Sequence, residues 1–242
     1  MLKLITMLFS LAVIFTSVGS ASSLENNLSG NQIAEGKLFT VKTSTDKNDI
    51  NGEKTKMKNR ETAVLGAGCF WCVEAIFQKL KGVISVEPGY TGGTVANPTY
   101  EEVCGGKTGH AEVAKIVFDS TKISYGEILD VFFEIHDPTT LNRQGNDIGE
   151  QYRSVIFYAD EQQRKIAEES VKRLEAKRVY DSPIVTEIVP LETFYPAENY
   201  HKNYYENNKD KPYCRFVISP KVKKFEKKFS GKLKKNMQKI RE

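Results

Sequence analysis

The chain has few of the residues that bind metal ions. Only three of its 242 residues are histidine and only four are cysteine. His110, His136 and His201 are scattered along the sequence, so we expect them to make structural hydrogen bonds. Cys69 and Cys72 form a C-x-x-C pair, but no second such pair and no H-x-x-H pair is present to complete a zinc site. The composition argues against a metal centre, and we predict that the protein uses no cofactor.

Apolar runs long enough to cross a membrane are also missing. The run at residues 8–15 is too short and too interrupted to predict a membrane span. It follows Lys3, the one charge in residues 1–21, and precedes small residues, a pattern typical of a secretory signal peptide. We therefore predict that residues 1–21 are a signal peptide and that the protein is exported, to the periplasm or outside the cell. An uncleaved membrane anchor is the alternative. Export implies an oxidising compartment, where a catalytic thiol needs a dedicated reductant.

Two further segments flank the predicted domain, which spans residues 59–220. Residues 22–58 are rich in Asn, Ser, Thr, Lys and Gly, so we predict a flexible linker. Residues 221–242 contain ten Lys or Arg and two Glu, a net +8, so the rest of the chain carries −4 of the overall +4. Apolar residues recur there at helical spacing, at Val222, Phe225, Phe229, Leu233, Met237 and Ile240.

The basic segment 221–242 is therefore predicted to be an amphipathic C-terminal helix. We expect it to dock on its own domain with its lysines toward solvent. Contact with an anionic membrane is the alternative. Nucleic acid is not an expected partner, because no recognition motif accompanies the lysines.

The sequence Gly-Cys-Phe-Trp-Cys at residues 68–72 lies between a predicted strand and a predicted helix. A thiol at a helix N-terminus faces the positive end of the helix dipole, so we expect Cys69 to be a thiolate and a nucleophile. Cys72 lies one helical turn away, close enough for a disulfide. The motif predicts redox chemistry on an apolar group. A structural cysteine pair is the alternative, since C-x-x-C occurs in both settings.

Strands and helices alternate along residues 59–220 without an internal repeat. Apolar periodicity predicts strands at 61–67, 83–90, 110–119, 154–158 and 184–189, and helices at 71–80, 125–135 and 161–177. This order predicts an α/β (α+β) two-layer sandwich. The alternation of strands and helices allows a ferredoxin-like, split βαβ core with long loops that form the site.

Seven motifs, in this order, resemble those of the A-type peptide methionine sulfoxide reductases. They are GCFW at 68–71, GYTGG at 89–93, NPTY at 97–100, TGHAE at 108–112, HDPT at 136–139, QGNDIG at 144–149 and QYRS at 151–154. The resemblance runs from about residue 62 to about residue 213. It implies a ferredoxin-like fold with extended loops and reduction of the S epimer of methionine sulfoxide, free or within oxidised proteins, to methionine. Such a reaction repairs oxidised proteins.

The resemblance also assigns roles to individual residues. Cys69 would attack the sulfoxide and become a sulfenic acid. Glu112 would hold a proton for the sulfoxide oxygen, because a carboxyl group buried near aromatics has a raised pKa. Tyr100 and Tyr152 would donate hydrogen bonds to the same oxygen. Without the resemblance, both tyrosines would be interpreted as packed aromatics and Glu112 as a solvated strand residue.

Three more residues are assigned to the substrate. Phe70 and Trp71 would hold the methyl group and select the epimer. Asp147 would accept a hydrogen bond from the backbone N–H of the substrate.

The resolving thiol is left open by the sequence. Many relatives have Gly where Cys72 stands, and they resolve the sulfenic acid with cysteines in a flexible C-terminal tail. Cys214 lies where the first tail cysteine is expected, but a glycine-rich tail with another cysteine is missing. Cys72 would need unwinding of the first helical turn, and Cys214 would need movement of its own segment. Cys104 is predicted to be a small buried filler.

The expected partner is a thioredoxin-like reductant, and we expect a monomer. Two other classes of protein are weighed against this one. A general disulfide oxidoreductase is suggested by C-x-x-C alone, but a thioredoxin context is missing. A non-enzymatic binding module would use the basic tail as its contact surface.

Overall fold

The computed structural model describes residues 59–235, so the predicted signal peptide and linker lie outside the described residues. The strands are β1 Arg60–Ala67, β2 Val83–Thr91, β3 Ala111–Asp119, β4 Arg143–Gln144, β5 Asp147–Ile148, β6 Ser154–Tyr158, β7 Glu187–Pro190 and β8 Tyr195–Pro196. The α-helices are α1 Phe70–Phe77, α2 Tyr100–Cys104, α3 Tyr125–Ile135, α4 Glu161–Ala176, α5 Tyr204–Asn207 and α6 Ser219–Lys228. A π-helix, Cys214–Ile218, leads into α6.

Six strands form one mixed sheet in the order β7-β6-β1-β3-β2-β8. The β6–β7 pair is parallel, and the other neighbours are antiparallel. Strands β4 and β5 form a separate two-stranded ribbon. The predicted α/β class is confirmed: a mixed sheet carries the helices.

Strand β3 explains how the sheet separates its two faces. Ala114, Ile116 and Phe118 belong to the large core on the helical side, whereas Ala111 and Val113 pack in a smaller cluster on the other face. Since side chains alternate along a strand, the residue at position 112 points to the helical side. The acidic residue there is therefore turned toward the interior.

Helix α1 lies in the middle of the helical layer. Seven of its eight residues are buried, and it contacts the sheet, α5 and α6. It ends three residues before the predicted end, and the chain then turns at Gly82, where φ is +94°. A Cβ at this glycine would lie 2.6 Å from Ile123.

Helix α2 was not predicted, because its five residues lie in a segment rich in glycine. A capping box between Thr99 and Glu102 starts it.

The basic C-terminal segment packs on the domain through helix α6. Val222 and Phe225 are buried in the main core, and Pro220 stands in the first turn. The helix is shorter than the predicted 221–242, because it ends at Lys228 and a 3-10 turn follows. Residues 236–242 lie outside the described residues. Between residues 59 and 235, no helix has the length and apolar character needed to cross a membrane.

Candidate active site

Cys69 stands immediately before helix α1, as its N-cap residue, with φ −53° and ψ 121°. The turn into it depends on Gly68, where φ is +83° and a Cβ would lie 2.7 Å from the side chain of Gln144. The Cys69 side chain is buried, and its thiol interacts with the thiol of Cys72. This contact exists with the first helical turn formed, since the Cys72 N–H donates to the Cys69 carbonyl over 3.0 Å.

The electrostatics of the thiol pair correct one prediction. Burial, and then the neighbouring Cys72, raise the pKa of Cys69, so the thiolate expected there is not favoured in the substrate-free protein. The hydrogen bond from Cys69, assisted by the Lys221 cation, lowers the pKa of Cys72. Both directions favour a negative charge on Cys72 over one on Cys69. Because the two thiols interact directly, a proton can pass between them.

Glu112 lies at the N-terminus of the same helix. The backbone N–H of Phe70 donates to Oε2 of Glu112 over 3.0 Å. Only 1% of Glu112 is exposed. Burial, together with the nearby Cys69, raises the pKa of this carboxyl group well above its ordinary value, which favours its protonated form. The structure thus brings together the predicted nucleophile and the predicted acid.

An aromatic cage surrounds the start of helix α1. Trp71 stacks on Tyr204, with ring centroids 3.7 Å apart and planes 5° apart. Its indole N–H donates to Nδ1 of His201 over 2.9 Å. The ring of Phe70 lies 4.9 Å from His201 and 6.3 Å from Tyr100. These contacts hold Phe70 and Trp71 in fixed orientations beside the thiol.

Tyr100 and Tyr152 lie at the same site, and both are half-buried. Burial and the nearby Glu112 raise the pKa of each phenol, so both are neutral donors. Asp147 has a partner of its own in the structure. Its Oδ2 accepts a hydrogen bond from the hydroxyl of Tyr213 over 2.7 Å, although it lies close to the thiol pair.

All four cysteines are free thiols. Cys214 is fully buried in the π-helix, where its carbonyl accepts a hydrogen bond from the Ser219 hydroxyl over 2.8 Å. Cys104 is exposed, so the prediction that it fills the core is wrong. It lies on the outer side of the short helix α2, where Val103 is the buried residue.

The histidines make the structural hydrogen bonds that were predicted. His110 bonds to two backbone groups of the loop after β2. His136 bonds to the Phe132 carbonyl and the Ser154 hydroxyl, and its burial lowers its pKa to about 4. Across residues 59–235, no group of three or more His, Cys, Asp or Glu is arranged to hold a metal ion.

Sequence reasoning missed several residues of the site. Tyr204 and Tyr213 contact Trp71, and Lys221 faces Cys72. The seven motifs do not predict these residues, because they end at residue 154 and these residues follow by fifty residues or more. The three residues reach the site only when the C-terminal segment folds onto the domain.

Glu74 is a buried carboxyl group next to the aromatic cage. We expect it to make the stability of the protein depend on pH. Only 1% of it is exposed, and its Oε1 accepts a hydrogen bond from the Asn203 N–H over 2.9 Å, beside the stacked Tyr204. Burial raises the pKa of Glu74 from 4.5 to about 7. The folded state prefers the protonated acid, so this contribution is present at low pH and is lost as pH rises through about 7. The loss is about 3 kcal/mol.

The test of this prediction is denaturant unfolding of the wild type and Glu74→Gln at pH 5 and pH 8. The wild type should lose more stability between the two pH values than the variant, whose amide does not titrate. Equal losses would contradict the assignment of the raised pKa to Glu74.

A family model described as peptide methionine sulfoxide reductase matches residues 61–233. The chain is 63% identical over 174 residues to peptide methionine sulfoxide reductase MsrA of Saccharolobus solfataricus, covering 72% of this chain and 97% of that protein. It is 54% identical over 174 residues to MsrA of Acinetobacter baumannii (strain AYE), covering 72% and 99%.

Two solved structures are also similar. Methionine sulfoxide reductase A of Corynebacterium diphtheriae has a TM-score of 0.56 and 38% identity, covering 62% of this chain and 76% of that one. Mxr1 from Saccharomyces cerevisiae in its reduced form has a TM-score of 0.60 and 32% identity, covering 65% and 90%.

The sheet, the buried thiol pair and the neighbouring neutral carboxyl group define a thiol-dependent oxidoreductase of α/β fold. The family model and the curated relatives match this domain over nearly its whole length, and they identify the family within this class. The chain belongs to the A-type peptide methionine sulfoxide reductase family, and it is an enzyme that reduces peptide-methionine (S)-S-oxide.

Proposed function

We propose that the enzyme reduces methionine sulfoxide, free or within oxidised proteins, through a sulfenic acid on Cys69 and then a disulfide between Cys69 and Cys72. One observation carries the proposal: the buried thiols of Cys69 and Cys72 lie at the N-terminus of helix α1, where the Phe70 N–H holds the buried carboxyl group of Glu112 over 3.0 Å. A sulfoxide oxygen leaves sulfur only after it accepts a proton, so the reaction needs a thiolate and an acid at the same place.

The first step balances with the groups present. The proton of Cys69 passes to Cys72, and the Cys69 thiolate attacks the substrate while Glu112 gives its proton to the sulfoxide oxygen. The oxygen moves to Cys69, which becomes a sulfenic acid, and the substrate leaves as methionine. Cys69 is oxidised by two electrons and the substrate sulfur is reduced by two. Glu112 recovers its proton from solvent.

The neighbouring side chains fit the remaining roles. The neutral hydroxyl groups of Tyr100 and Tyr152 would donate to the sulfoxide oxygen, where charge develops. Phe70 and Trp71 would enclose the methyl group. Asp147 would accept the backbone N–H of a peptide substrate after exchanging its bond with Tyr213.

Cys72 is the proposed resolving thiol. It already contacts Cys69, whereas Cys214 is buried in a hydrogen-bonded π-helix that would have to move. In the second step the proton of Cys72 passes to the sulfenic oxygen of Cys69 and the Cys72 thiolate attacks the sulfenic sulfur. The S–S bond forms, the S–O bond breaks, and the oxygen leaves as water. A thioredoxin-like dithiol would then reduce the disulfide.

The experiment that tests this scheme compares Cys72→Ser with Cys214→Ser. Without reductant, both variants should form one equivalent of methionine, because Cys69 is intact. With thioredoxin, Cys214→Ser should turn over like the wild type and Cys72→Ser should stop after the first equivalent. Recycling by Cys72→Ser together with failure of Cys214→Ser would show that Cys214 is the resolving thiol.

We propose further that the central strands form a ferredoxin-like split βαβ core. The order β6-β1-β3-β2, with α1 after β1 and α3 after β3, supports this proposal.

We also propose export of the enzyme, on the pattern of residues 1–21. Mass spectrometry of the N-terminus of the secreted or periplasmic fraction tests it. A protein that begins near residue 22 is expected there.

A further inference from the structure

Lys221 connects the basic C-terminal helix to the thiol pair. Its Nζ lies 4.0 Å from Sγ of Cys72. Lys221 stands in the first turn of helix α6, which Val222 and Phe225 anchor in the main core with 4% and 3% exposure. Packing of this helix therefore fixes where the ammonium group lies.

The groups that face Cys72 come from four elements. They are the Cys69 thiol before α1, the Asp147 carboxylate in β5, the Tyr213 hydroxyl before the π-helix and the Lys221 ammonium in α6. The thiol and the hydroxyl are neutral donors. Asp147 opposes a negative charge on Cys72, and Lys221 favours one.

The other neighbours of Lys221 do not neutralise it. The titratable groups that line the adjacent cavity are Glu134, His136, Asp137, Lys224 and Lys228. Glu134 is engaged by Lys228 at 2.5 Å and by Lys224 at 3.9 Å. His136 has its pKa lowered to about 4 by burial, so it is neutral. Among the ion pairs of residues 59–235, none joins Lys221 to a carboxylate.

We propose that Lys221 is a positioning residue for the resolving step, and that its ammonium group holds Cys72 as a thiolate against Cys69. This inference rests on the proposed Cys69–Cys72 relay. The basic helix thus supplies the charge that makes the nearby cysteine an effective resolving thiol.

The expected effect follows from thiol chemistry. A one-unit rise in the pKa of Cys72 lowers its thiolate fraction about tenfold, while the more basic thiolate is about threefold more nucleophilic. Below the pKa, each unit should therefore slow the resolving step by about threefold. Above the raised pKa, both proteins are fully ionised, and a variant without the charge should be the faster one. A crossing of the two pH profiles is specific to an electrostatic role.

The experiment follows the fate of the Cys69 sulfenic acid in the full-length enzyme. Lys221→Met removes the charge at similar length, Lys221→Arg keeps it, and Lys223→Met is the matched control on the exposed side of the same helix. Each protein receives one equivalent of methionine S-sulfoxide without reductant, in the presence of a cyclic 1,3-dione that traps sulfenic acids. Mass spectrometry then gives the ratio of trapped adduct to Cys69–Cys72 disulfide from pH 6 to pH 10.

At neutral pH, Lys221→Met should give at least about a threefold higher ratio of adduct to disulfide than the wild type. Lys221→Arg and Lys223→Met should match the wild type, and the excess in Lys221→Met should vanish or reverse at high pH. Equal ratios in all four proteins would overturn the inference, as would an excess in Lys221→Met that stays constant with pH. If Lys221→Met does not fold, Lys221→Gln takes its place, with the same expectations.

The methionine released separates this inference from the proposed function. One equivalent of methionine from the wild type, with a Cys69–Cys72 disulfide, upholds the relay whatever Lys221 does. Methionine without that disulfide would refute the relay, and the inference with it. No methionine at all would refute the proposed chemistry of Cys69.

Discussion

Cys69→Ser is expected to abolish methionine formation, with a loss of about 10⁴-fold or more. A serine hydroxyl does not ionise near neutral pH and cannot be oxidised to the equivalent of a sulfenic acid, so neither the attack nor the oxygen transfer can occur. The side chain is nearly isosteric and the site is buried, so the fold should persist. The measurement is methionine formed per enzyme in a single turnover, with thermal unfolding to confirm folding.

The matched control for Cys69→Ser is Cys214→Ser. It makes the same chemical change at a cysteine outside the thiol pair, and it should leave the single equivalent of methionine unchanged. Turnover by Cys69→Ser would mean that another thiol attacks the sulfoxide, and the proposed mechanism would then be wrong.

Glu112→Gln is expected to slow the reduction step by about 10²–10⁴-fold, the range typical of the loss of a general acid. The amide oxygen can still accept the hydrogen bond from the Phe70 N–H, so the geometry of the helix N-terminus is retained. What is lost is the proton for the sulfoxide oxygen. Single-turnover kinetics of methionine formation measure the effect directly.

The pH dependence of the reduction rate is a second test of the role of Glu112. The pKa of Glu112 is raised, so the active, protonated form exists below that pKa and is lost as pH rises through it. The wild-type rate should therefore fall at alkaline pH, and the residual rate of Glu112→Gln should lack this decline. Glu61→Gln, an equivalent change at an exposed position of β1, is the control and should behave like the wild type. A decline that persists in Glu112→Gln would assign it to another group.

Much of the fold was predictable because its signals are local. Helix α3 and strand β6 have the predicted bounds, and capping or apolar alternation marks both. The orientation of Glu112 was also present in the sequence. Glu112 lies two residues before Ala114 and four before Ile116 on β3. Since side chains alternate between the faces of a strand, all three must face the helical core. The interpretation of Glu112 as a solvated residue ignored this alternation.

Errors arose where distant segments decide the outcome. The expected Cys69 thiolate followed from the helix dipole alone, but burial and Cys72 act more strongly in the opposite direction. Cys104 was expected inside and is exposed, because helix α2 turns it outward. The C-terminal helix ends at Lys228, although the apolar spacing continues further.

The sequence by itself determined the family of this protein. The seven ordered motifs suffice for it, and the proposed nucleophile and acid follow from the family, because each motif depends only on neighbours in the chain. The tertiary structure alone decided that Cys214 is buried in the π-helix, that burial raises the pKa of Cys69, and that Lys221 faces Cys72. Those outcomes depend on burial and on contacts across about 150 residues, which no local spacing encodes.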